Sequence, residues 1–250
     1  MNIEKEIQNN LFAFYKLVAS EASLNFFHGE DYKWINSIPW PNFIFDENPV
    51  KAKKIIKEVA DKKNKEIPYF WITKNTHSNL KFQKLLSDSK FLKVMTWPGM
   101  AIDLSTNRFN KLKLNVIHVK TKEQLKEWFK IVNLSFFNKK SSEMEIFIKI
   151  FNSKKVVLYI GYHNSVAVAT SLMFSNNESA GLYMIATLPE YRNKGFGREI
   201  TKIALLDAKN SGHKIAVLQA TKDAFEMYKK IGFKEYCNFD IYWNPEKDEN

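Results

Sequence analysis

Apolar residues recur at helical spacing from the start of the chain, where Ile3, Ile7, Leu11, Tyr15 and Val18 fall on one side of an otherwise polar amphipathic helix. From about Leu114 the period switches repeatedly. The pattern predicts a strand over Val116–Val119, helices over Lys122–Val132 and Met144–Phe151, and strands over Val156–Gly161, Val166–Phe174 and Leu182–Thr187. A helix over 197–210 follows, with Ile200, Ile203, Ala204 and Leu206 as its apolar side, and it stops at Gly212. The β-rich run Ile215–Ala220 then makes a strand–helix–strand crossover candidate. A second helix ends at Gly232, read as a left-handed C-cap, and Lys234–Trp243 is the last strand.

The first 110 residues echo that order without its turn chemistry. Asn42–Phe45 reads as a strand, Val50–Lys63 as an amphipathic helix, Pro68–Thr73 as a strand and Leu80–Phe91 as a helical stretch before another strand. Trp97-Pro98-Gly99-Met100 reads as a turn, with a closing strand to Leu104. Thr106–Lys113 reads as a short polar linker. Two halves follow, residues 1–110 and 111–250, and so short a linker predicts that they pack together.

The strongest candidate chemistry lies at Pro189-Glu190-Tyr191-Arg192-Asn193-Lys194-Gly195-Phe196-Gly197-Arg198. A strand feeds a glycine turn that opens a helix, an arrangement that cradles an anion: backbone amides close on a phosphate where no Cβ intervenes, and the helix N-terminus adds its free donors. The chain has three arginines, and two of them, Arg192 and Arg198, flank this turn. A dinucleotide fingerprint would need a small residue where Ile200 stands, and no Gly-Lys-Ser/Thr completes a nucleotide P-loop.

What remains, Arg-x-x-Gly-x-Gly after a Pro-x-Tyr-Arg phrase, resembles the signature of the GNAT superfamily of acetyl-CoA-dependent N-acetyltransferases. The downstream run Thr221-Lys-Asp-Ala224-Phe-Glu-Met-Tyr228-Lys-Lys-Ile-Gly232-Phe233 is similar to that family's second signature. The resemblance covers about 140 residues and implies an α/β (α+β) fold with a mixed, mostly antiparallel sheet flanked by helices. Acetyl-CoA is the implied cosubstrate, with a small or protein amine as acceptor. Implied cofactor contacts are Ile185, Ala186 and Thr187 on a splayed central strand, then Arg192, Asn193, Lys194, Gly195, Phe196, Gly197 and Arg198, then Thr221 and Ala224. Thr221 stands where the family often has Asn. Tyr228 is the implied general acid toward the departing thiolate. A base carried by some relatives falls where Gly181 stands; Glu178, Glu190, His163 and Asp223 are the remaining candidates, and no protein base is expected. His163 reads first as a residue of a hairpin turn and only second as a base. Phe129, Phe136 and Phe137 are expected around the acceptor.

With the resemblance in hand, the echo in residues 1–110 reads as a degenerate GNAT-like half, making the whole a tandem. Asp46-Glu47-Asn48-Pro49 replaces the glycine turn, and no tyrosine matches Tyr228. The second half stops after Trp243, where the family continues into another strand. Residues of the first half are therefore expected to cover the open edge, with Trp40 or Trp97 at the contact. A non-catalytic acyl-CoA-binding or interaction module is the alternative reading.

Composition adds exclusions. The single cysteine, Cys237, cannot form an internal disulfide and is expected to pack, and five scattered histidines predict no metal site. No apolar run approaches a membrane span and no signal peptide opens the chain, so a cytoplasmic protein is expected. The net charge of +11 invites nucleic acid as a partner, but the excess is almost wholly lysine interleaved with acids. That composition favours solvated helix faces and attraction of an anionic cosubstrate over base readout.

Overall fold

In the computed structural model of the chain, strands of both halves join a single sheet. The structure describes residues 2–29, 32–37, 40–46, 56, 68, 70–75, 80–105, 114–137, 144–177 and 179–245. The described strands are β1 (Asn25–His28), β2 (Tyr32–Asn36), β3 (Asn42–Asp46), β4 (Phe70–Lys74), β5 (Leu92–Asp103), β6 (Asn115–His118), β7 (Val156–His163), β8 (Val166–Asn176), β9 (Ser179–Thr187), β10 (Ile215–Gln219) and β11 (Lys234–Trp243). They lie in the order β1-β2-β3-β4-β11-β5-β10-β9-β8-β7-β6. The described helices are α1 (Ile3–Ala22), α2 (Leu80–Asp88), α3 (Lys122–Phe136), α4 (Met144–Phe151), α5 (Phe196–Asn210) and α6 (Phe225–Ile231). None is long and apolar enough to cross a membrane.

The order is symmetric about the central β11–β5 pair. β4, β3, β2 and β1 leave it on one side as β10, β9, β8 and β7 leave it on the other, and β3/β4 and β9/β10 are both parallel. Even the ends correspond: the Asn75 N–H donates to the Asn238 carbonyl at 2.8 Å, and the Ala220 N–H donates to the Pro98 carbonyl at 2.9 Å. The edge expected to lie open beside the second half is filled by β5. It sits between β10 and β11 and pairs antiparallel with both. Reciprocally, β11 sits between β4 and β5. Each half thus inserts its last strand into the other's sheet, which removes two edges that would otherwise expose unpaired backbone groups.

Alternation along the strands divides the core. Ala101, Val217, Phe239 and Ile241 face the layer of α1, α3 and α4, where Phe14, Trp128 and Phe147 are fully buried. Met100, Ala216, Leu218 and Phe233 face α5 and α6. Ile44, Trp71 and Tyr242 pack with Phe82 and Leu86 of α2. The helix α3 is fixed at its start by a capping box between Thr121 and Gln124. Trp40 is buried as expected at the contact between halves, its ring stacked on Phe147 of α4 at 5.6 Å. Cys237 packs in the core, and burial pushes its thiol up to about 12.

One polar intrusion crosses between the halves. Asn10 of α1 is fully buried; its amide donates to the Ser179 hydroxyl at 2.9 Å and its carbonyl accepts from the Tyr183 hydroxyl at 2.8 Å. The Ser179 hydroxyl in turn donates to Glu6 at 2.9 Å. The space for this comes from Gly181, where a Cβ would lie 2.0 Å from Asn10 Oδ1. Phe14, one turn further along α1, stacks on Tyr183 with ring centroids 4.1 Å apart.

Several expectations need correction. No turn occurs at Trp97–Gly99, because β5 runs unbroken from Leu92 to Asp103. Pro98 is tolerated there because only its carbonyl is needed, by Ala220, at the point where β10 ends. Gly99 serves close packing, since a Cβ would lie 2.6 Å from Cys237 Sγ. On α5, Leu205 is buried and Leu206 is exposed, because a 3.6-residue period starting at Ile200 and Ala204 continues through Ala208 and bypasses Leu206. The helix expected over 50–63 lies outside the described residues except for Ile56, which is helical and buried. The linker expected at 106–113 and the tail at 246–250 also lie outside them.

The Asn10–Gly181 contact makes a quantitative prediction. Gly181→Ala should cost about 1–3 kcal/mol of stability through overpacking, and part of that cost should vanish in an Asn10→Gly background, the rest remaining with the Tyr183 ring, 2.5 Å from the same position. Urea denaturation of both single variants and the pair checks this, and strictly additive costs would contradict the contact.

Candidate active site

The site starts where two parallel strands part. β9 and β10 pair only from Ile215↔Ser179 to Val217↔Gly181. Beyond Gly181, the strand from Leu182 to Thr187 keeps β8 on one side and leaves its other edge to an opening. A bulge drives the separation: the β8–β9 register shifts between Thr170 and Leu172, opposite Met184, whose φ is +49°. The Thr170 hydroxyl donates to the Met184 carbonyl at 3.0 Å and holds the bulge in place. As a result Tyr183 and Met184 both pack toward α1, while Ile185 packs toward Tyr228 on the other face.

The glycine turn closes the mouth of that opening. After a 3-10 turn at Pro189–Tyr191, Asn193 has a φ of +61° and Gly195, the N-cap of α5, has a φ of +88°. Gly195 is required by its backbone conformation, for nothing lies within 4 Å of the place a Cβ would take. Gly197 answers to space instead. A Cβ there would approach Thr187 Oγ1 to 3.2 Å and Met227 Sδ to 3.5 Å, so the turn, the end of β9 and α6 meet at this point. The first hydrogen bond of α5 runs from the Glu199 N–H to the Gly195 carbonyl, which leaves the amides ahead of it as the open donors of a helix start. Arg192 is exposed and anchored by its Nε to the Thr187 carbonyl at 3.2 Å. Lys194 lies over the Tyr191 ring, and Arg198 is exposed.

Across the opening, Tyr228 of α6 is 5% exposed, its ring set edge-on to Phe233. Burial pushes its phenol well above the ordinary range, and its hydroxyl makes no hydrogen bond among the described residues. Tyr228 shares one apolar cluster with Ile185, Phe196, Ala220 and Ala224. Ala186 is buried in the β8–β9 ladder opposite Thr170.

The structure therefore gathers Thr187, Arg192, Gly195, Gly197 and Tyr228 around one opening. It sets Thr221 apart: that residue is exposed and lines a groove on the β5 side of the loop. Among the base candidates, His163 flanks a hairpin turn at Asn164 and Ser165, its ring 4.8 Å from Phe196. Glu190 and Asp223 are exposed, and Glu178 lies outside the described residues. The space at Gly181, where the resemblance would set a base, is filled by the Asn10 amide and the Tyr183 ring. Phe129 is buried against Phe147, whereas Phe136 is exposed and Phe137 packs on Trp40. Met227, Tyr183 and Asn10 escaped the sequence reading. A glycine inside a strand marks a close approach, and Asn10 interrupts the apolar side of α1, but neither signal names its partner.

Comparison with known proteins agrees with this geometry. Residues 154–235 match the family model described as an acetyltransferase (GNAT) domain. A search of curated proteins by sequence gives no match. Among solved structures, a GCN5-related N-acetyltransferase from Kribbella flavida superposes with a TM-score of 0.74 at 12% identity, covering 96% of this chain and 95% of that one. A conserved protein of unknown function from Staphylococcus epidermidis gives a TM-score of 0.64 at 13% identity, over 89% of this chain and 95% of its own. A GCN5-related N-acetyltransferase from Sphaerobacter thermophilus gives 0.63 at 11% identity, over 86% of this chain and 80% of its own. The chain therefore carries an acetyltransferase domain of the GNAT family over residues 154–235, within a fold that these solved structures share along most of its length.

Proposed function

We propose that this protein transfers the acetyl group of acetyl-CoA to a primary amine by direct attack. One observation carries the reading: the β9–β10 pairing stops at Gly181, and the opening it leaves has a glycine-bounded helix start at its mouth and a buried tyrosine beside it. The residues fit such a cosubstrate. The open amides before Glu199 would take the pyrophosphate, with Arg192 and Arg198 as its cationic rim. The strand edge from Leu182 to Thr187, which β10 leaves unpaired, offers backbone groups to a pantetheine chain and to a carbonyl oxygen gaining negative charge.

Acetyl-CoA supplies the thioester. The amine nitrogen forms a bond to its carbonyl carbon, the carbon–sulfur bond breaks, the amine loses a proton, and the thiolate takes one up. Tyr228, kept neutral by burial, donates toward that sulfur. With Asn10 in the place of a carboxylate at Gly181, the amine's proton passes to water. The first half, in this reading, is a GNAT-like repeat without a cofactor site. Support for it comes from the mirrored strand order and from the Asp46–Pro49 sequence where a glycine turn would stand.

Two predictions follow from these assignments. Gly195→Val and Gly197→Val should each weaken acetyl-CoA binding about tenfold or more, the loss expected of charge-assisted backbone hydrogen bonds; calorimetry on variants with unchanged circular dichroism checks it, and retained affinity in both would remove the cradle. Tyr228→Phe should leave acetyl-CoA affinity unchanged and lower kcat on the order of a hundredfold. In the parent protein kcat/KM should rise with pH up to the acceptor amine's own pKa, with no loss from Tyr228 below the usual phenol range because its pKa is raised. An enzyme group titrating near neutrality would show that a protein base operates, and a Tyr228→Phe variant with full turnover would reduce that residue to packing.

A further inference from the structure

A second opening lies on the other side of β10. That strand ends at Gln219, so β5 has a neighbour on both sides only from Gly99 to Ala101, and its stretch Leu92–Pro98 keeps β11 alone. The freed edge borders a groove of about 700 Å³, walled by Val94, Met95, Trp97 and Pro98 and by Phe225 at the start of α6. Val94 and Met95 are 43% and 47% exposed, unusual for apolar residues of a strand this near the centre of a sheet. Trp97 packs toward the α1 face, as Tyr183 and Met184 do from β9. The end of β10 lies between the groove and the acetyl-transfer opening, a span of about two strand spacings, roughly 10 Å.

Charge and shape narrow the occupant. In a chain of net charge +11, the charged residues at this groove are Asp223 and Glu235 against a single Lys222. Carboxylates at the rim of an apolar slot suit a cation with an apolar body. A peptide adding to the edge as another strand is disfavoured, because Pro98 offers no N–H and the β5–β11 register shifts beside Val94, two devices that blunt an edge. The volume is that of a small-molecule site.

We infer that this groove is the acceptor site and takes a small primary amine with an aromatic or branched apolar body, its ring against Trp97 and Phe225 and its ammonium drawn by Asp223 and Glu235. The inference rests on the acetyl-transfer reading for the purpose of the site, but binding can be read without turnover. The probe is 2-phenylethylamine, titrated by calorimetry into the full chain in the presence of CoA, with ethylamine and phenylacetate as controls.

Burial of the ring predicts 2-phenylethylamine to bind about tenfold tighter than ethylamine, and the carboxylates predict it to bind tighter than phenylacetate. Trp97→Ala should remove most of the preference over ethylamine. Asp223→Asn with Glu235→Gln, at exposed positions that should not disturb folding, should weaken the amine about threefold and leave phenylacetate no worse. Equal binding of the three probes, an unchanged Kd in the double carboxylate variant, or a tetrapeptide amide that outcompetes 2-phenylethylamine would each overturn the assignment. Failure of the glycine and Tyr228 variants to affect acetyl-CoA binding or turnover would bear on acetyl transfer alone.

Discussion

The interleaving of β5 and β11 is the constraint on which the rest of the structure depends. A strand with one free edge presents unpaired N–H and C=O groups, and each half of this chain ends on such a strand. Each solves the problem with the other's last strand, from Lys234↔Ala101 to Trp243↔Leu92. Neither half has a complete sheet alone. The acetyltransferase domain therefore borrows its closing strand from residues outside the span that its family model matches.

That borrowed strand shapes the site. β10 is held on one side by β5 and on the other by only the first part of β9, so its short run ends with openings on both sides. On the β9 side the opening meets the glycine turn and Tyr228; on the β5 side it meets Trp97 and Phe225. From the same first half, α1 drives Asn10 into the space left by Gly181 and stacks Phe14 on Tyr183 at the point where β9 and β10 part. A buried side-chain network at such a point is worth its desolvation only when every member is paired, and Glu6, Ser179, Asn10 and Tyr183 form such a chain of donors and acceptors.

Local chemistry was readable in the sequence, and long-range pairing was not. The glycine turn at 195–197, the helix it opens and the cap at Gly232 follow from backbone requirements that only a few residue types meet, and all three occur where the residues demand them. That the second half needs a covered edge could be inferred because an apolar strand left open is prone to wrong pairing. Which segment fills it could not, because Pro98 and Gly99 carry strong turn propensity that tertiary contacts override: one needs no N–H and the other sits against Cys237. Leu206 was misplaced by a small error of helical phase. Asn10 and Met227 were missed because their partners lie far away in sequence, and Thr221 sits on the groove beside β5, apart from the residues gathered at the glycine turn.

The dependence of the proposed acetyl-CoA site on the first half can be measured in one titration. Residues 111–250, produced alone, are compared with the full chain for acetyl-CoA binding by calorimetry, alongside cooperative thermal unfolding. Without β5 to hold the far edge of β10 and α1 to hold β9, the fragment should neither unfold cooperatively nor bind acetyl-CoA, and adding residues 1–110 in trans should restore both. A fragment that melts cooperatively and binds acetyl-CoA with the full chain's affinity would contradict the account.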